Sequence, residues 1–196
     1  MKGKKLFSTR DIATISVLSG VAALLFLWEI PIVLFYKLDF SNLPVLLGTF
    51  SMGPLAGSAI LLVKSLIGLL HSTSQGVGEL ADFIIGLAMV WPAGLIYNAN
   101  KSRKSALTGM LAGSFAATLA GAVCNLVLLI PFYSVVFNLP VDRIVAMGQS
   151  LIPALDTEFK FILFITAPFN LLKWLLISAV TFLVYKPLSP VIKGRK

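Results

Sequence analysis

Residues 40–52 read FSNLPVLLGTFSM, a run of 13 residues without a charged side chain. As a helix rising 1.5 Å per residue, this run reaches only about 20 Å, whereas the hydrocarbon core of a bilayer is roughly 30 Å thick. Five longer apolar segments surround it, at about residues 11–30, 54–70, 77–98, 105–133 and 158–185. Whether the short run also crosses the membrane therefore decides the fold.

The positions of the basic residues answer this question. They form three clusters, namely Lys2, Lys4, Lys5 and Arg10; Lys101, Arg103 and Lys104; and Lys186, Lys193, Arg195 and Lys196. Only if residues 40–52 cross do all three clusters, eleven of the sixteen Lys and Arg residues, lie on one side. The positive-inside rule identifies that side as the cytoplasm. The sequence therefore predicts an all-α, polytopic membrane protein, a bundle of six transmembrane helices in which residues 1–196 form a single domain with both termini cytoplasmic.

Composition agrees with a membrane location and excludes several other classes. Hydrophobic residues make up 58% of the chain, charged residues only 12%, and the mean hydropathy is +0.94. Soluble domains carry roughly a quarter charged residues. The net charge of +8 could suggest nucleic-acid binding, but the basic residues lie between apolar runs and accompany no recognition motif. The first apolar run is too long for a signal peptide and is interpreted as a retained helix.

The residues needed for common catalytic and metal sites are scarce. Cys124 is the only cysteine and His71 the only histidine, so neither a disulfide nor a zinc or iron site is expected. The chain has no Walker motif and no serine-hydrolase or metalloprotease motif. We expect no catalytic residues, no metal and no cofactor, and conclude that the chain is not an enzyme.

Several polar residues nevertheless lie at membrane depth, where each ionisable group costs roughly 2.5–3.5 kcal/mol at a helix centre. In the six-helix topology most of them fall in the outer half of the membrane or at its midplane: Glu79, Asp82, Asn125, Asn170 and Lys173. Lys64 lies about three turns from the inner end of its helix. The inner half is almost purely apolar. This asymmetry predicts a pocket that is open to the outside and sealed below. For Lys64 and Asp82 a purely structural role is an equal alternative.

Charge complementarity suggests contacts within this pocket. Lys173 and Glu79 have opposite charges and can neutralise each other across the bundle, either for a ligand or as a structural ion pair. The amide of Asn125 is flanked by apolar neighbours and is expected to lack a partner among them. The segment 31–39, before the short helix, is expected to dip into the bundle as a lid, in which Tyr36 contacts the ligand.

Small residues on two spans predict close helix packing. Gly109, Gly113, Ala117 and Gly121 recur every four residues on the fifth span, where packing inside the bundle is the favoured interpretation. The first span has two candidate pairs, Ser16 with Gly20 and Ser19 with Ala23, which could dock another membrane protein.

A family resemblance covers nearly the whole chain in order. It is carried by residues 38–44 (LDFSNLP), 53–57 (GPLAG), 64–66 (KSL), 78–83 (GELADF), 124–125 (CN), 130–133 (IPFY) and 168–173 (PFNLLK). These stretches resemble the riboflavin-specific S component, the substrate-binding membrane subunit, of energy-coupling factor (ECF) vitamin transporters.

The resemblance implies high-affinity binding of riboflavin from outside, in the plasma membrane of a prokaryote, as part of an ATP-driven importer. The implied substrate-binding residues are Tyr36, Lys37, Leu38, Asp39, Glu79, Asn125, Asn170 and Lys173, with Lys64 and Asp82 as further candidates. It also implies docking onto a transmembrane coupling protein and two cytoplasmic ATPase subunits. In this family a pair of small residues on the first helix makes the docking contact, which here is Ser16/Gly20 or Ser19/Ala23.

Two other functions are considered. A stand-alone membrane carrier for another vitamin-like solute would use the same polar residues to line a path through the membrane, and the apolar inner half argues against it. An intramembrane enzyme would need a catalytic constellation that the sequence does not contain.

Overall fold

The computed structural model describes residues 6–34 and 36–193, without the side chains of residues 186 and 188–193. The helices are α1 (Thr9–Phe26), α2 (Asn42–Met52), α3 (Pro54–Gly68), α4 (Val77–Ala99), α5 (Arg103–Cys124), α6 (Ile130–Val136), α7 (Val141–Gln149), α8 (Glu158–Phe161) and α9 (Ala167–Lys193). Two strands, β1 (Ile30–Val33) and β2 (Tyr36–Leu38), lie between α1 and α2. The basic residues Lys2, Lys4, Lys5, Arg195 and Lys196 and the side chains of Lys186 and Lys193 lie outside this description.

Short irregular turns extend several helices. A 3-10 turn, Leu69–His71, continues α3, and two π-helical turns, Asn125–Leu129 and Ile162–Thr166, join α5 to α6 and α8 to α9. Five continuous helical segments are long and apolar enough to cross a membrane: Thr9–Phe26, Pro54–His71, Val77–Ala99, Arg103–Val136 and Glu158–Tyr185. Helix α2 is the short sixth segment. The predicted all-α membrane bundle is confirmed.

Helix α2 lies inside the bundle, as a helix too short to span lipid alone requires. Eight of its 11 residues are buried, and it packs against α1, α3, α4 and α9. The chain reverses between α2 and α3 at Gly53, whose φ of +102° is a conformation that favours glycine. Pro54 then occupies the first turn of α3, where its missing N–H costs no helical hydrogen bond.

The connection between α1 and α2 differs from the prediction. Helix α1 ends at Phe26 instead of residue 30, and the expected lid loop is an antiparallel hairpin in which Ile30 pairs with Leu38 and Pro31 with Lys37. Residues 30–33, IPIV, include β-branched side chains that favour strand over helix. We call Ile30–Leu38 the lid hairpin.

The glycine stripe on α5 packs inside the bundle, as predicted. A Cβ atom at Gly109 would lie 2.8 Å from the carbonyl oxygen of Ala93, and one at Gly113 would lie 2.7 Å from that of Met89, both on α4. At Gly121 the Cβ would instead meet the side-chain amide of Asn170 on α9. The stripe therefore allows α5 to approach both α4 and α9.

Gly113→Ala is expected to destabilise the bundle, because its Cβ would meet backbone that can yield only if α4 and α5 separate. Overpacking of this kind costs about 1–3 kcal/mol. The midpoint of thermal unfolding, measured in detergent, should fall. Gly20→Ala is the matched control, since a Cβ there has no atom within 4 Å, and an equal fall in both variants would contradict this packing.

The end of the bundle that carries the Lys101–Lys104 loop is filled by aromatic side chains. Phe50 packs edge-to-face on Tyr97 and Tyr185, with ring centroids 5.0 and 5.5 Å away, and the two tyrosine hydroxyls hydrogen bond to each other. These rings come from α2, α4 and α9 and close this end of the bundle.

Candidate functional site

A cavity of about 470 Å³ lies at the opposite end of the bundle, beneath the lid hairpin. Eight of the ten predicted substrate-binding residues line it: Tyr36, Lys37, Asp39, Glu79, Asp82, Asn125, Asn170 and Lys173. They come from the lid hairpin and the segment after it, from the start of α4, from the first π-helical turn and from α9. The fold thus brings together residues that are up to 137 positions apart in the sequence.

The two amides are held by nearby backbone. The Nδ2 of Asn125 donates to the carbonyl oxygen of Gly121 at 2.8 Å, and the Nδ2 of Asn170 donates to that of Thr166 at 2.9 Å. As expected, the sequence neighbours Cys124 and Leu126 supply no partner for Asn125; its partners are the carbonyl oxygen of Gly121, one helical turn away, and the hydroxyl of Tyr36. Asn125 begins one π-helical turn and Thr166 ends the other. Such turns are frequent at functional sites because they change the direction in which side chains point.

Tyr36 joins the lid hairpin to both π-helical turns. Its hydroxyl lies 2.8 Å from Oδ1 of Asn125 and 2.5 Å from Oγ1 of Thr166. Its ring stacks on Phe169, with centroids 5.1 Å apart and an interplanar angle of 28°. The hairpin therefore covers the cavity with an aromatic ring that is already anchored to the cavity wall.

The ion pairs differ from the predicted arrangement. Lys173 does not pair with Glu79; its Nζ lies 2.8 Å from Oδ2 of Asp39, which is only 3% exposed. Glu79 accepts hydrogen bonds from the hydroxyls of Ser72 and Ser74, at 2.8 and 3.0 Å, and lies in the first turn of α4, where the helix dipole favours a negative charge. The sequence could not show that Asp39 folds inward to meet α9.

Burial is the largest single influence on the pKa of the Asp39 carboxyl and raises it, but the ammonium groups of Lys173 and Lys64, together with the hydrogen bonds from Lys173 and Ser41, outweigh burial and hold that pKa below its ordinary value. Asp39 is therefore ionised at neutral pH. The wall of the cavity carries a buried, neutralised charge pair beside two amides, which can donate and accept hydrogen bonds from a polar ligand.

Two candidates do not line the cavity. Lys64 is 1% exposed and donates to Asp82, Ser41 and Asn42 at 2.5, 3.0 and 3.0 Å. Leu38 is half-buried and pairs with Ile30 in the lid hairpin.

Other lining residues were not identified from the sequence, among them Thr73, Ser74, Tyr133, Phe169 and Trp174. Tyrosine and tryptophan in a membrane helix are usually interfacial residues. Trp174, however, is 2% exposed. Within residues 6–34 and 36–193, no group of three His, Cys, Asp or Glu side chains is arranged to hold a metal ion.

Comparisons with known proteins agree with this architecture. A family model for "ECF transporter, substrate-specific component" matches residues 10–185. The riboflavin transporter RibU of Staphylococcus aureus (strain TCH60) is 34% identical over 188 residues, covering 94% of this chain and 93% of that protein. The riboflavin transporter FmnP of Bacillus subtilis (strain 168) is 27% identical over 202 residues, covering 100% and 97%.

A solved structure of the S component of a bacterial ECF transporter superposes with a TM-score of 0.73 at 30% sequence identity, covering 94% of this chain and 98% of that one. The residues matched by the family model, 10–185, include the lid hairpin and every residue that lines the cavity. This chain belongs to the family of substrate-specific components of ECF transporters.

Proposed function

We propose that this chain is the high-affinity riboflavin-binding subunit of an ATP-driven importer and takes up its ligand from outside the cell. The observation that carries the proposal is that Asn125, Asn170 and Lys173 line one cavity beneath the lid hairpin. Its volume, about 470 Å³, lies within the usual range for small-molecule pockets. The relatives RibU and FmnP are riboflavin transporters, which supports this choice of ligand.

The chemistry of riboflavin suits this cavity. Its isoalloxazine ring is flat and largely apolar, and Phe169, Tyr133 and Trp174 offer aromatic surface. The pyrimidine-like edge of the ring alternates donors and acceptors, which the amides of Asn125 and Asn170 match. The ribityl hydroxyls suit the charged groups of Lys173 and Glu79. At the other end, the packed rings of Phe50, Tyr97 and Tyr185 favour a closed pocket over a path through the membrane.

The test is direct binding. The purified protein should carry a yellow ligand with the flavin absorbance spectrum, and after the ligand is removed, added riboflavin should lose its fluorescence on binding. A colourless preparation that leaves riboflavin fluorescence unchanged would overturn the proposal.

Asn125→Ala is expected to weaken riboflavin binding by about 1–3 kcal/mol, because it leaves a buried polar group of the ligand without its partner and removes one acceptor of the Tyr36 hydroxyl. Fluorescence titration measures the effect. Asn100→Ala, an exposed amide at the other end of α4, should bind as the unaltered protein does. Equal affinity in all three proteins would remove Asn125 from the site.

We further propose that α1 docks onto a transmembrane coupling protein, which itself joins two cytoplasmic ATPase subunits. The exposure of the two small-residue pairs differs. Ser19 and Ala23 are buried in the bundle, whereas Ser16 is exposed and Gly20 has open space around it. This favours Ser16 and Gly20 as the docking pair, because small residues on an open face let a partner helix approach closely.

Gly20→Leu is expected to reduce co-purification with the coupling protein and ATPases severalfold and to leave riboflavin affinity unchanged. The leucine would fill the space that the partner helix needs, and Gly20 is not among the residues that line the cavity. Val123→Leu, on the exposed side of α5, is the control. Normal assembly of the Gly20→Leu protein would show that this face is not the docking surface.

The proposed orientation puts both termini and the exposed Lys101–Lys104 loop in the cytoplasm of a prokaryotic cell, at the plasma membrane. A cysteine that replaces Lys101 should then resist membrane-impermeant thiol reagents in intact cells, and one that replaces Ile32 in the lid hairpin should react.

A further inference from the structure

Lys64 is a buried cation that neither lines the cavity nor faces water. It lies on α3 at 1% exposure, close to the outer end of that helix. Burial of an ammonium group inside a membrane protein is costly unless every proton finds an acceptor. Its three protons have three acceptors, on Ser41, Asn42 and Asp82. The position of these acceptors suggests more than charge neutralisation.

Lys64 contacts residues that come before the lid hairpin in the sequence and residues that come after it. Before the hairpin, the ring of Phe26, the last residue of α1, has its centroid 5.3 Å from Nζ of Lys64. After the hairpin, Ser41 and Asn42 at the start of α2 accept hydrogen bonds of 3.0 Å from the same nitrogen. The ammonium group of Lys64 thus contacts both the segment that precedes the lid hairpin and the segment that follows it.

The contacts continue into the cavity. The backbone N–H of Ser41 donates to Asp39 at 2.9 Å, and its hydroxyl donates to the same carboxylate. Asp39 in turn pairs with Lys173 in the cavity wall. On the other side, Asp82 on α4 holds Lys64 at 2.5 Å and accepts a hydrogen bond from Asn42 at 3.2 Å. Buried groups from α2 and α3 and half-buried groups from α4 and α9 therefore meet in one connected network.

We propose that Lys64 is a positioning residue for ligand binding, which fixes both ends of the lid hairpin over the cavity and so slows release of the ligand. It acts through Phe26, Ser41 and Asp39 and does not touch the ligand. The effect on release rests on the proposed function, whereas the effect on the hairpin does not. An ion pair that served only to neutralise Asp82 would require neither the contact with Phe26 nor those with the start of α2.

The experiment measures the position of the hairpin directly. In a Cys124→Ser background, spin labels are attached to Ile32→Cys on the hairpin and Phe115→Cys on α5, both of which are exposed. Electron–electron double resonance then gives the distance distribution without ligand. Lys64→Met should broaden or shift this distribution. Ser65→Ala, the neighbouring buried residue whose hydroxyl has no partner among the described residues, should leave it unchanged.

A double variant separates positioning from charge neutralisation. Lys64→Met with Asp82→Asn removes both charges, so thermal stability should recover while the distance distribution stays broad. If neutralisation were the whole role, stability and distribution would both recover, and that result overturns the proposal. An unchanged distribution in Lys64→Met overturns it as well.

Riboflavin release provides a second measurement. Lys64→Met should accelerate dissociation about tenfold, within the range reported for changes along buried networks. Should that variant fail to fold, Ser41→Ala removes one link of the network and should produce a smaller change in the same direction, and no change would count against the proposal. If riboflavin does not bind even the unaltered protein, the proposed function fails, while the distance measurement still decides the role of Lys64.

Discussion

Lys173→Met should lower riboflavin affinity by roughly 3 kcal/mol, about a hundredfold. The methionine has a similar length but no charge, so it removes a hydrogen-bond donor from the cavity wall. It also leaves the carboxylate of Asp39, which is 3% exposed, without its nearest cation. The removal of one partner from a buried ion pair is costly because the remaining charge has no compensation. Fluorescence titration with riboflavin measures the change.

Two further variants test whether the loss of affinity in Lys173→Met comes from a lost contact with riboflavin or from the unpaired charge on Asp39. Lys160→Met removes the same residue type from an exposed pair with Asp156 and should leave the affinity unchanged. Lys173→Met combined with Asp39→Asn removes both buried charges, so it should restore thermal stability without restoring affinity. If the double variant binds riboflavin as tightly as the unaltered protein, Lys173 serves only to neutralise Asp39 and makes no contact with the ligand.

Gly121→Ala should weaken binding by about 2 kcal/mol, although glycine contributes no side chain to the site. The new Cβ would lie 2.9–3.0 Å from the amide atoms of Asn170, so that amide must move. The carbonyl oxygen of Gly121 also accepts the hydrogen bond that orients Asn125. One methyl group therefore disturbs an amide that is proposed to contact the pyrimidine edge of riboflavin.

Gly109→Ala is the matched control, because it lies on the same stripe of α5 but meets the backbone of Ala93, away from the cavity. Both variants should lower the melting temperature, and only Gly121→Ala should reduce affinity strongly. Similar losses of affinity in the two variants would indicate a general loosening of the bundle instead of displacement of Asn170.

Part of the candidate site could be predicted from the sequence, because a polar side chain in an apolar helix stands out from its neighbours. Asn125, Asn170 and Lys173 stand out among hydrophobic neighbours, and the six-helix topology assigns them similar depths. Aromatic residues gave no such signal. Trp174 and Tyr133 look the same in the sequence whether they face lipid, the membrane interface or a cavity.

The ion-pair partners of the charged residues could not be predicted, because charge alone does not distinguish one acidic residue from another. Lys173 could neutralise Glu79 or Asp39 equally well on the basis of charge, and the choice depends on how the segment after the lid hairpin enters the bundle. That path is determined by contacts between distant parts of the chain, such as the hydrogen bonds of Tyr36 to Asn125 and Thr166. The two π-helical turns also have no simple sequence pattern.

The sequence by itself determined that the chain is a helical membrane protein and that its polar residues gather toward one end of the bundle. These properties follow from the hydropathy of each segment and from the order of the basic clusters along the chain, neither of which depends on which helices contact one another. Only the tertiary structure decided that residues 30–38 form a hairpin, that Asp39 is the partner of Lys173, and that Lys64 joins both ends of that hairpin. Pairings of this kind depend on distances of a few ångströms between segments far apart in the chain, and no local pattern encodes them.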